Sequence, residues 1–162
     1  MNKLTVIFLM VVFTFFYCSG QSGSRLPSVA VRGLDGSLLN SSVIGQTGKP
    51  VIILFWATWC RPCIKEMTAI ADLYGEWKSK TGVVIYAVSV DDSRSQPGIA
   101  PLVRSRGWAF EFFLDTNGEF KRAMGVVDVP HLFVLNGKGE IIYQKAGYTE
   151  GSEEQIPDWL KP

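Results

Sequence analysis

Residues 51 to 90 contain two apolar segments on either side of an amphipathic one, and no other feature of the chain constrains its fold as strongly. The continuous apolar run Val51 to Trp56 is typical of a central strand that is covered on both faces. From Arg61 to Lys78, apolar residues recur every three or four positions, which predicts a helix with one buried face. The β-branched run Val83 to Val90 predicts a second buried strand. Together these segments form a βαβ unit in which the two strands are parallel.

The rest of the chain adds antiparallel strands and shorter helices. Asp35-Gly36, between two short apolar segments, predicts a β-hairpin at the N-terminus. The turn from Asn136 to Gly139 predicts a second hairpin between the strands His131–Leu135 and Ile141–Lys145. A further strand is predicted at 112–114, a helix at 97–106, a turn followed by a helix at 117–124, and a last short helix, limited by Pro157, at 152–160. We therefore expect an α/β fold in which helices flank a central mixed sheet that carries an added N-terminal hairpin.

Composition and charge exclude several classes of protein. The 162 residues, 47% hydrophobic and 19% charged, suit one globular domain. The net charge of +1 provides no strong field to attract nucleic acid. Without residues 1–20, which include Cys18, the chain has one His and two Cys, too few for a four-ligand zinc site without carboxylates.

The N-terminal segment has the pattern of an export signal. Lys3 precedes 14 residues, Leu4 to Tyr17, that are apolar except for two threonines. This run is shorter than the roughly 20 residues of a membrane-spanning helix and fits the apolar region of a signal. We predict that residues 1–20 are an export signal, cleaved after Gly20, or an N-terminal anchor. The protein would then act in the periplasm or on the outer face of a membrane.

Two further predictions concern the segment after the apolar run. Cys18 could carry a lipid, but bulky Tyr17 directly before it favours soluble export or an uncleaved anchor. Residues 21–27 are polar and are predicted to form a linker, followed by a single folded domain at 28–162.

Cys60 and Cys63 lie where the first buried strand meets the first long helix. Cysteines three residues apart at a helix start lie on one face and are close enough to form a disulfide. Cys60 would lie at the helix N-terminus, where free backbone N–H groups stabilise a thiolate, with Cys63 one turn deeper. We predict that Cys60 attacks substrates and Cys63 resolves the mixed disulfide. Pro62 is tolerated in the first turn and stiffens the segment between the two sulfurs.

Other chemistries of a cysteine pair are weighed against this prediction. A static disulfide or half of a metal site fits poorly, because the Cys-x-x-Cys lies at the start of a βαβ helix and the chain has no second cysteine pair. A Cu(I)-binding module using Cys60, Cys63 and His131 is the main alternative, although the chain is not enriched in Met or His. A peroxidase is a weaker alternative, since a different pattern of Pro and Thr precedes a peroxidatic cysteine.

The motifs of the chain resemble a known family. They are Trp56-Ala57-Thr58-Trp59-Cys60-Arg61-Pro62-Cys63 with Glu66, then Gly125-Val126 before Val129-Pro130, and then Gly137-Lys138-Gly139-Glu140-Ile141. Over about residues 26 to 150, the chain resembles thioredoxin-fold proteins of the TlpA/ResA type. It departs from their pattern in having Thr68 where a helix-kinking proline is usual and His131 where threonine is usual.

The resemblance implies a thioredoxin-like fold and an exported thiol-disulfide oxidoreductase, usually a reductase and often one serving cytochrome c maturation. Its partners would be protein dithiols and disulfides, together with an upstream thiol electron donor, expected to be embedded in the membrane. No flavin or nicotinamide site is visible in the sequence, so no cofactor is expected. We expect a monomer.

The resemblance also assigns roles to residues outside the cysteine pair. Glu66 matches the active-site acid of the family and would exchange protons with Cys63. Val129-Pro130 matches a cis-proline loop that presents its backbone to the substrate chain.

His131 is expected either to be an exposed loop imidazole or to add positive charge near Cys60 in mildly acid conditions. Asp91-Asp92 is interpreted as a solvated loop without a role. Arg61 would make the couple more oxidising and Glu66 more reducing, so the sequence leaves the reduction potential open.

Overall fold

The computed structural model describes residues 24–160 and contains one seven-stranded mixed sheet in the order β2-β1-β5-β4-β3-β6-β7. The strands are β1 (Ala30–Gly33), β2 (Leu38–Asn40), β3 (Val51–Trp56), β4 (Val84–Ser89), β5 (Glu111–Leu114), β6 (His131–Leu135) and β7 (Ile141–Ala146). The α-helices are α1 (Arg61–Thr81), α2 (Ile99–Arg106) and α3 (Glu119–Ala123). Short 3-10 helices cover Ser41–Val43, Gln96–Gly98 and Ser152–Trp159. The last of these is called the C-terminal 3-10 helix below.

The centre of the sheet is parallel and its flanks are antiparallel. Strand β3 pairs in parallel with β4, and β4 pairs in parallel with β5. On the other side, β3 pairs antiparallel with β6, with Val51 opposite Leu135 and Phe55 opposite His131. The hairpin β1-β2 joins the sheet at β5. The predicted α/β fold, the parallel βαβ unit and the added N-terminal hairpin are therefore confirmed.

Helix α1 begins and ends where its sequence requires. Pro62 lies in the first turn, where no intrahelical N–H is needed. Gly82 caps the C-terminus with a left-handed φ of 71°, a conformation that costs glycine little. At Thr68 the hydroxyl donates a hydrogen bond to the Ile64 carbonyl at 2.7 Å, and the helix continues without a break.

Two apolar cores lie on opposite faces of the sheet, because strand side chains alternate between faces. The first core holds the buried face of α1 together with α2 and the C-terminal 3-10 helix, and it includes Leu132 of β6. The second core includes Phe120 of α3 and Phe133 of β6. The cysteine pair belongs to the first core.

The structure describes part of the predicted linker and corrects one helix assignment. Within residues 24–27, the Ser24 carbonyl accepts a hydrogen bond from the Ile141 amide at 3.0 Å and Leu26 is buried in the second core. These residues therefore pack on the domain, while residues 21–23 lie outside the described part. The turn and helix predicted within 117–124 are present, with the helix at Glu119–Ala123. The segment 152–160 forms 3-10 turns around Pro157, which lacks an N–H to donate.

The predicted export signal at 1–20 lies outside the described residues. Between residues 24 and 160, no helix is long and apolar enough to cross a membrane.

Candidate active site

Cys60 and Cys63 form a disulfide at the N-terminus of α1, with their Cα atoms 5.3 Å apart. Strand β3 ends at Trp56, and the four residues that follow bring Cys60 to the N-cap position of the helix. The Cys63 amide donates to Cys60 Sγ at 3.2 Å. A thiolate on Cys60 would therefore accept a backbone hydrogen bond and lie at the positive end of the helix dipole.

The two sulfurs differ in their surroundings. Cys63 is completely buried, whereas Cys60 retains 5% of its surface. The Val129 carbonyl oxygen lies 3.7 Å from Cys60 Sγ, a contact and not a hydrogen bond while the sulfur carries no proton. The Val129–Pro130 peptide bond is cis, which confirms the predicted conformation of this loop. Cys60 is thus the sulfur that an incoming chain meets first.

Glu66 lies on the buried face of α1, three residues after Cys63, and only 3% of its surface is exposed. Burial raises its pKa to about 7, the positive charge of Lys145 opposes this rise, and the negative charge of Glu153 adds to it. A solvated helix glutamate, the alternative explanation for this residue, is excluded by this burial. Near neutral pH such a carboxyl can either release or accept a proton.

The structure adds Asp91 to the site. The sequence pattern was interpreted as a solvated loop, but this side chain is 99% buried. Its carboxylate accepts hydrogen bonds from the Thr58 amide, the Thr58 hydroxyl and the Ser89 hydroxyl, at 2.9, 2.6 and 2.7 Å. Because β3 and β4 are parallel, with Trp56 opposite Ser89, residues two positions further on meet at the same edge. The sequence carries no signal for this contact, because the register of β3 against β4 is seen only in the folded sheet. Asp92, in contrast, is exposed as expected.

His131 does not join the cysteine pair. Its ring stacks on Phe133 with 4.7 Å between the centroids, on the sheet face of the second core, whereas the cysteines belong to the first. Burial lowers its pKa, so the imidazole is neutral near pH 7. Between residues 24 and 160, no three His, Cys, Asp or Glu side chains are placed to hold a metal ion. The structure therefore does not bring His131 to Cys60 and Cys63, as the alternative Cu(I) site requires.

An open groove of about 430 Å³ is lined in part by Val129, the residue whose carbonyl oxygen contacts Cys60 Sγ. Trp59 and Val127, exposed at 65% and 77%, line it together with Val129. Lys121 and Arg122 lie along the same groove. The groove therefore offers apolar surface, two cations and the carboxylate of Asp128 next to the cis-proline loop.

Comparison with known proteins extends these observations. The AhpC/TSA family model matches residues 22–144. The chain is 32% identical over 141 residues to thiol-disulfide oxidoreductase ResA of Bacillus thuringiensis subsp. konkukian, covering 87% of this chain and 78% of that protein. It is 26% identical over 163 residues to sporulation thiol-disulfide oxidoreductase A of Bacillus subtilis, covering 99% of this chain and 98% of the other.

A solved structure agrees with these relatives. The solution structure of an uncharacterized thioredoxin-like protein from Porphyromonas gingivalis superposes with a TM-score of 0.75 at 40% identity, covering 83% of this chain and 88% of that one. The chain therefore belongs to the AhpC/TSA family, has a thioredoxin-like fold and is a thiol-disulfide oxidoreductase.

Proposed function

We propose that this protein is an exported protein-disulfide reductase that uses Cys60 as nucleophile and Cys63 as resolving thiol. The observation that carries the proposal is a buried carboxyl, Glu66, one turn below the resolving cysteine. A negative charge beside Cys63 disfavours a thiolate there and so stabilises the dithiol, which makes the couple more reducing.

The first step is attack of the Cys60 thiolate on one sulfur of a substrate disulfide. A Cys60–substrate bond forms as the substrate S–S bond breaks, and the other substrate sulfur leaves as a thiolate. The Cys63 amide and the start of α1 support the charge on Cys60 before the attack.

In the second step Cys63 resolves the mixed disulfide. Its thiol gives its proton to the Glu66 carboxylate, and the resulting thiolate attacks Cys60 Sγ. The Cys60–Cys63 bond forms, and the second substrate sulfur leaves as a thiolate that takes a proton from solvent. Two electrons pass from the enzyme dithiol to the substrate disulfide in total.

We place the substrate chain in the groove beside Trp59, with the Pro130 loop presenting its backbone to the substrate. The support is the position of Val129, which both lines the groove and contacts Cys60. Protein disulfides are the proposed substrate class, because an open groove with apolar rims suits an extended chain better than a small molecule.

The reduction potential of the purified protein is the experiment that tests the proposed direction. Equilibration with glutathione at pH 7 should give a potential below about −230 mV, in the range of cellular reductants. A potential near −120 mV, typical of a strong oxidant, would instead make this protein a donor of disulfides.

An upstream dithiol must return the oxidised enzyme to its reduced form, and we propose a membrane-embedded thiol protein for this step. Exported proteins with disulfides, including the Cys-x-x-Cys-His segment of apocytochromes c, are the proposed substrates. Host cells lacking this protein should lose covalently bound haem, and an added small thiol should restore it. Unchanged haem attachment would exclude the cytochrome c role alone.

The proposed export is tested by mass spectrometry of the protein from its native host. A chain that starts at Gln21 supports soluble export, and a lipid on Cys18 supports tethering to a membrane. An intact Met1 on a membrane-bound protein supports an uncleaved anchor. An intact Met1 in a cytosolic fraction would contradict all three.

A further inference from the structure

A small cavity lies on the side of Glu66 that faces the C-terminal part of the chain. Its volume is about 10 Å³, close to the smallest space that holds one water molecule. Its charged lining comes from three elements, with Glu66 on α1, Lys145 on β7 and Glu153 on the C-terminal 3-10 helix. The remaining wall is formed by Leu132, Tyr143, Ser152, Gln155 and Ile156.

The C-terminal 3-10 helix is firmly packed over this cavity. Ile156 is buried in the first core, and Trp159 stacks on Tyr143 with 4.8 Å between ring centroids. The position of Glu153 relative to Glu66 is therefore set by the fold and not by a flexible tail.

One side-chain oxygen of Glu153, Oε2, is buried and lacks a hydrogen-bond donor among residues 24–160. Lys145 does not provide one, since no ion pair within 4 Å joins it to either glutamate in the described part of the chain. A buried carboxylate oxygen without a donor is costly, and a shared proton or one bridging water would remove the cost.

Glu153 also reaches the surface. It lines a second, open groove together with Tyr148, Glu150 and Lys65. It thus lies between the closed cavity that contains Glu66 and a solvent-accessible surface.

We propose that the group which takes the proton of Cys63 is a Glu66–Glu153 carboxylate pair, which holds no proton before the transfer and then shares the one proton from Cys63 across the cavity, with Glu153 as the positioning residue that passes it to solvent. This inference rests on the proposed function, in which Glu66 serves Cys63. The proton leaves the Cys63 thiol for Glu66, moves to Glu153 directly or through one water, and is released at the surface, so no proton is created or lost.

The electrostatics of the surrounding groups agree with a pair. Beyond the effect of burial, Lys145 lowers the pKa of Glu66 and Glu153 raises it. The pKa of Tyr148 rises to about 12 through burial and its interaction with Glu153, with Glu150 and Glu66 adding to the rise. Tyr148 hydrogen-bonds to Glu153, so Oε2 is the oxygen of Glu153 that lacks a donor among residues 24–160. Two carboxyls near one another titrate as a unit, because the second negative charge is disfavoured by the first.

The test compares three charge-removing variants of the full chain, Glu153→Gln, Lys145→Gln and the matched control Glu154→Gln. Glu154 is the exposed neighbour on the same 3-10 helix. In the reduced protein, the side-chain carboxyl of Glu66 is titrated by ¹³C NMR. In parallel, the rate at which Cys63 resolves a Cys60 mixed disulfide is measured from pH 5 to 9.

We expect Glu153→Gln to move the Glu66 titration and the acid limb of the resolution profile to lower pH. At pH 6 the resolution rate should rise about threefold, the change that half a pH unit produces. Lys145→Gln should move both in the opposite direction, and Glu154→Gln should leave both unchanged. A Glu66 titration that is the same in wild type and in Glu153→Gln would overturn the pair.

The failure of the proposed function would look different. The Glu66 titration reports the pair whether or not Glu66 takes part in the reaction. If Glu66→Gln left the resolution rate unchanged at every pH, the role of Glu66 in the proposed function would fall even where the NMR titration revealed the pair.

Discussion

The carboxylate of Asp91 accepts hydrogen bonds from both the backbone amide and the hydroxyl of Thr58, at 2.9 and 2.6 Å. Because Asp91 follows β4 and Thr58 follows β3, these bonds tie together the ends of the two central strands. Thr58 lies two residues before Cys60, so the position of the reactive sulfur depends on a carboxylate far away in sequence. The Ser89 hydroxyl gives Asp91 a third donor.

Replacing Asp91 with Asn should therefore loosen the segment before Cys60. The amide keeps the shape of the carboxylate but accepts through one oxygen only, so one buried donor loses its partner. We expect the free energy of unfolding to fall by about 1–3 kcal/mol. Denaturant titration measures this loss, and Cys60 alkylation should change in parallel. Asp92→Asn is the control, since the Asp92 side chain only accepts hydrogen bonds from Arg94 and Ser95 in an exposed turn. An equal loss of unfolding free energy in both variants would contradict the stabilising role of the hydrogen bonds between Asp91 and Thr58.

The roles of the two cysteines predict opposite trapping behaviour. Cys63→Ser should accumulate mixed disulfides between Cys60 and a substrate protein, because the resolving thiol is absent. Cys60→Ser should accumulate none, since Cys63 is completely buried. Non-reducing electrophoresis after incubation with an oxidised protein substrate measures both. Trapping by Cys60→Ser alone would invert the assignment.

Glu66 should make stability depend on pH. Its pKa is raised to about 7 in the folded protein, from 4.5 for an ordinary glutamate. Between these values the folded chain holds a proton that the unfolded chain releases, so stability falls as pH rises through this window and stays low above it. Glu66→Gln removes this loss, and we expect it to gain up to about 3 kcal/mol relative to wild type between pH 4 and pH 8.

Urea unfolding of both proteins at the two pH values measures this difference. Glu154→Gln, which removes an exposed carboxyl, should show no comparable gain. A constant difference between Glu66→Gln and wild type at both pH values would mean that Glu66 titrates normally.

His131 should not tune Cys60. Its ring lies on the other sheet face, and burial lowers its pKa, so its folded form favours the neutral state. The pH profile of Cys60 alkylation in His131→Phe should therefore coincide with that of wild type. Stability responds instead: wild type loses stability as pH falls below about 6.5, where the unfolded imidazole takes up a proton, and the variant lacks this loss. A pH profile of Cys60 alkylation that differs between His131→Phe and wild type would instead support a role for the His131 charge at Cys60.

Trp59 should contribute to the binding of protein substrates. We expect Trp59→Ser to lower kcat/KM for a protein disulfide by about tenfold, the effect of losing one well-placed aromatic contact. Reaction with a small disulfide should change little, because a small molecule does not occupy the groove. Leu38→Ser removes an equally exposed apolar side chain far from the groove, on β2, and serves as control. Equal effects of Trp59→Ser on large and small substrates would contradict a docking role.

The local patterns of this sequence predicted its local structures well. The bounds of β3 and β6 agree with the prediction, because each strand is a short, nearly continuous apolar run whose ends are marked in the sequence. The cysteine pair and the cis bond before Pro130 were also predicted, the latter only through resemblance to a family.

What the sequence could not provide was the direction in which side chains point across the sheet. Asp91 looked like part of a solvated loop, and only the register of β3 against β4 brings it to Thr58. His131 follows Pro130 directly and was expected near Cys60, but strand alternation turns it to the second core. Glu153 had no sequence signal at all, since its nearness to Glu66 depends on how the C-terminal 3-10 helix packs.

The antiparallel β-bridge between Arg25 and Glu140 fixes the end of the domain at which the described part of the chain begins. Glu140 belongs to the turn after β6, at the Val51 end of β3, whereas Cys60 follows the opposite end of that strand. If residues 1–20 are retained as an anchor, the domain would be attached to the membrane through the end that contains Glu140, opposite to Cys60. The disulfide would then face away from the bilayer, towards partners in the surrounding compartment, and the length of chain before Ser24 would limit how far it reaches.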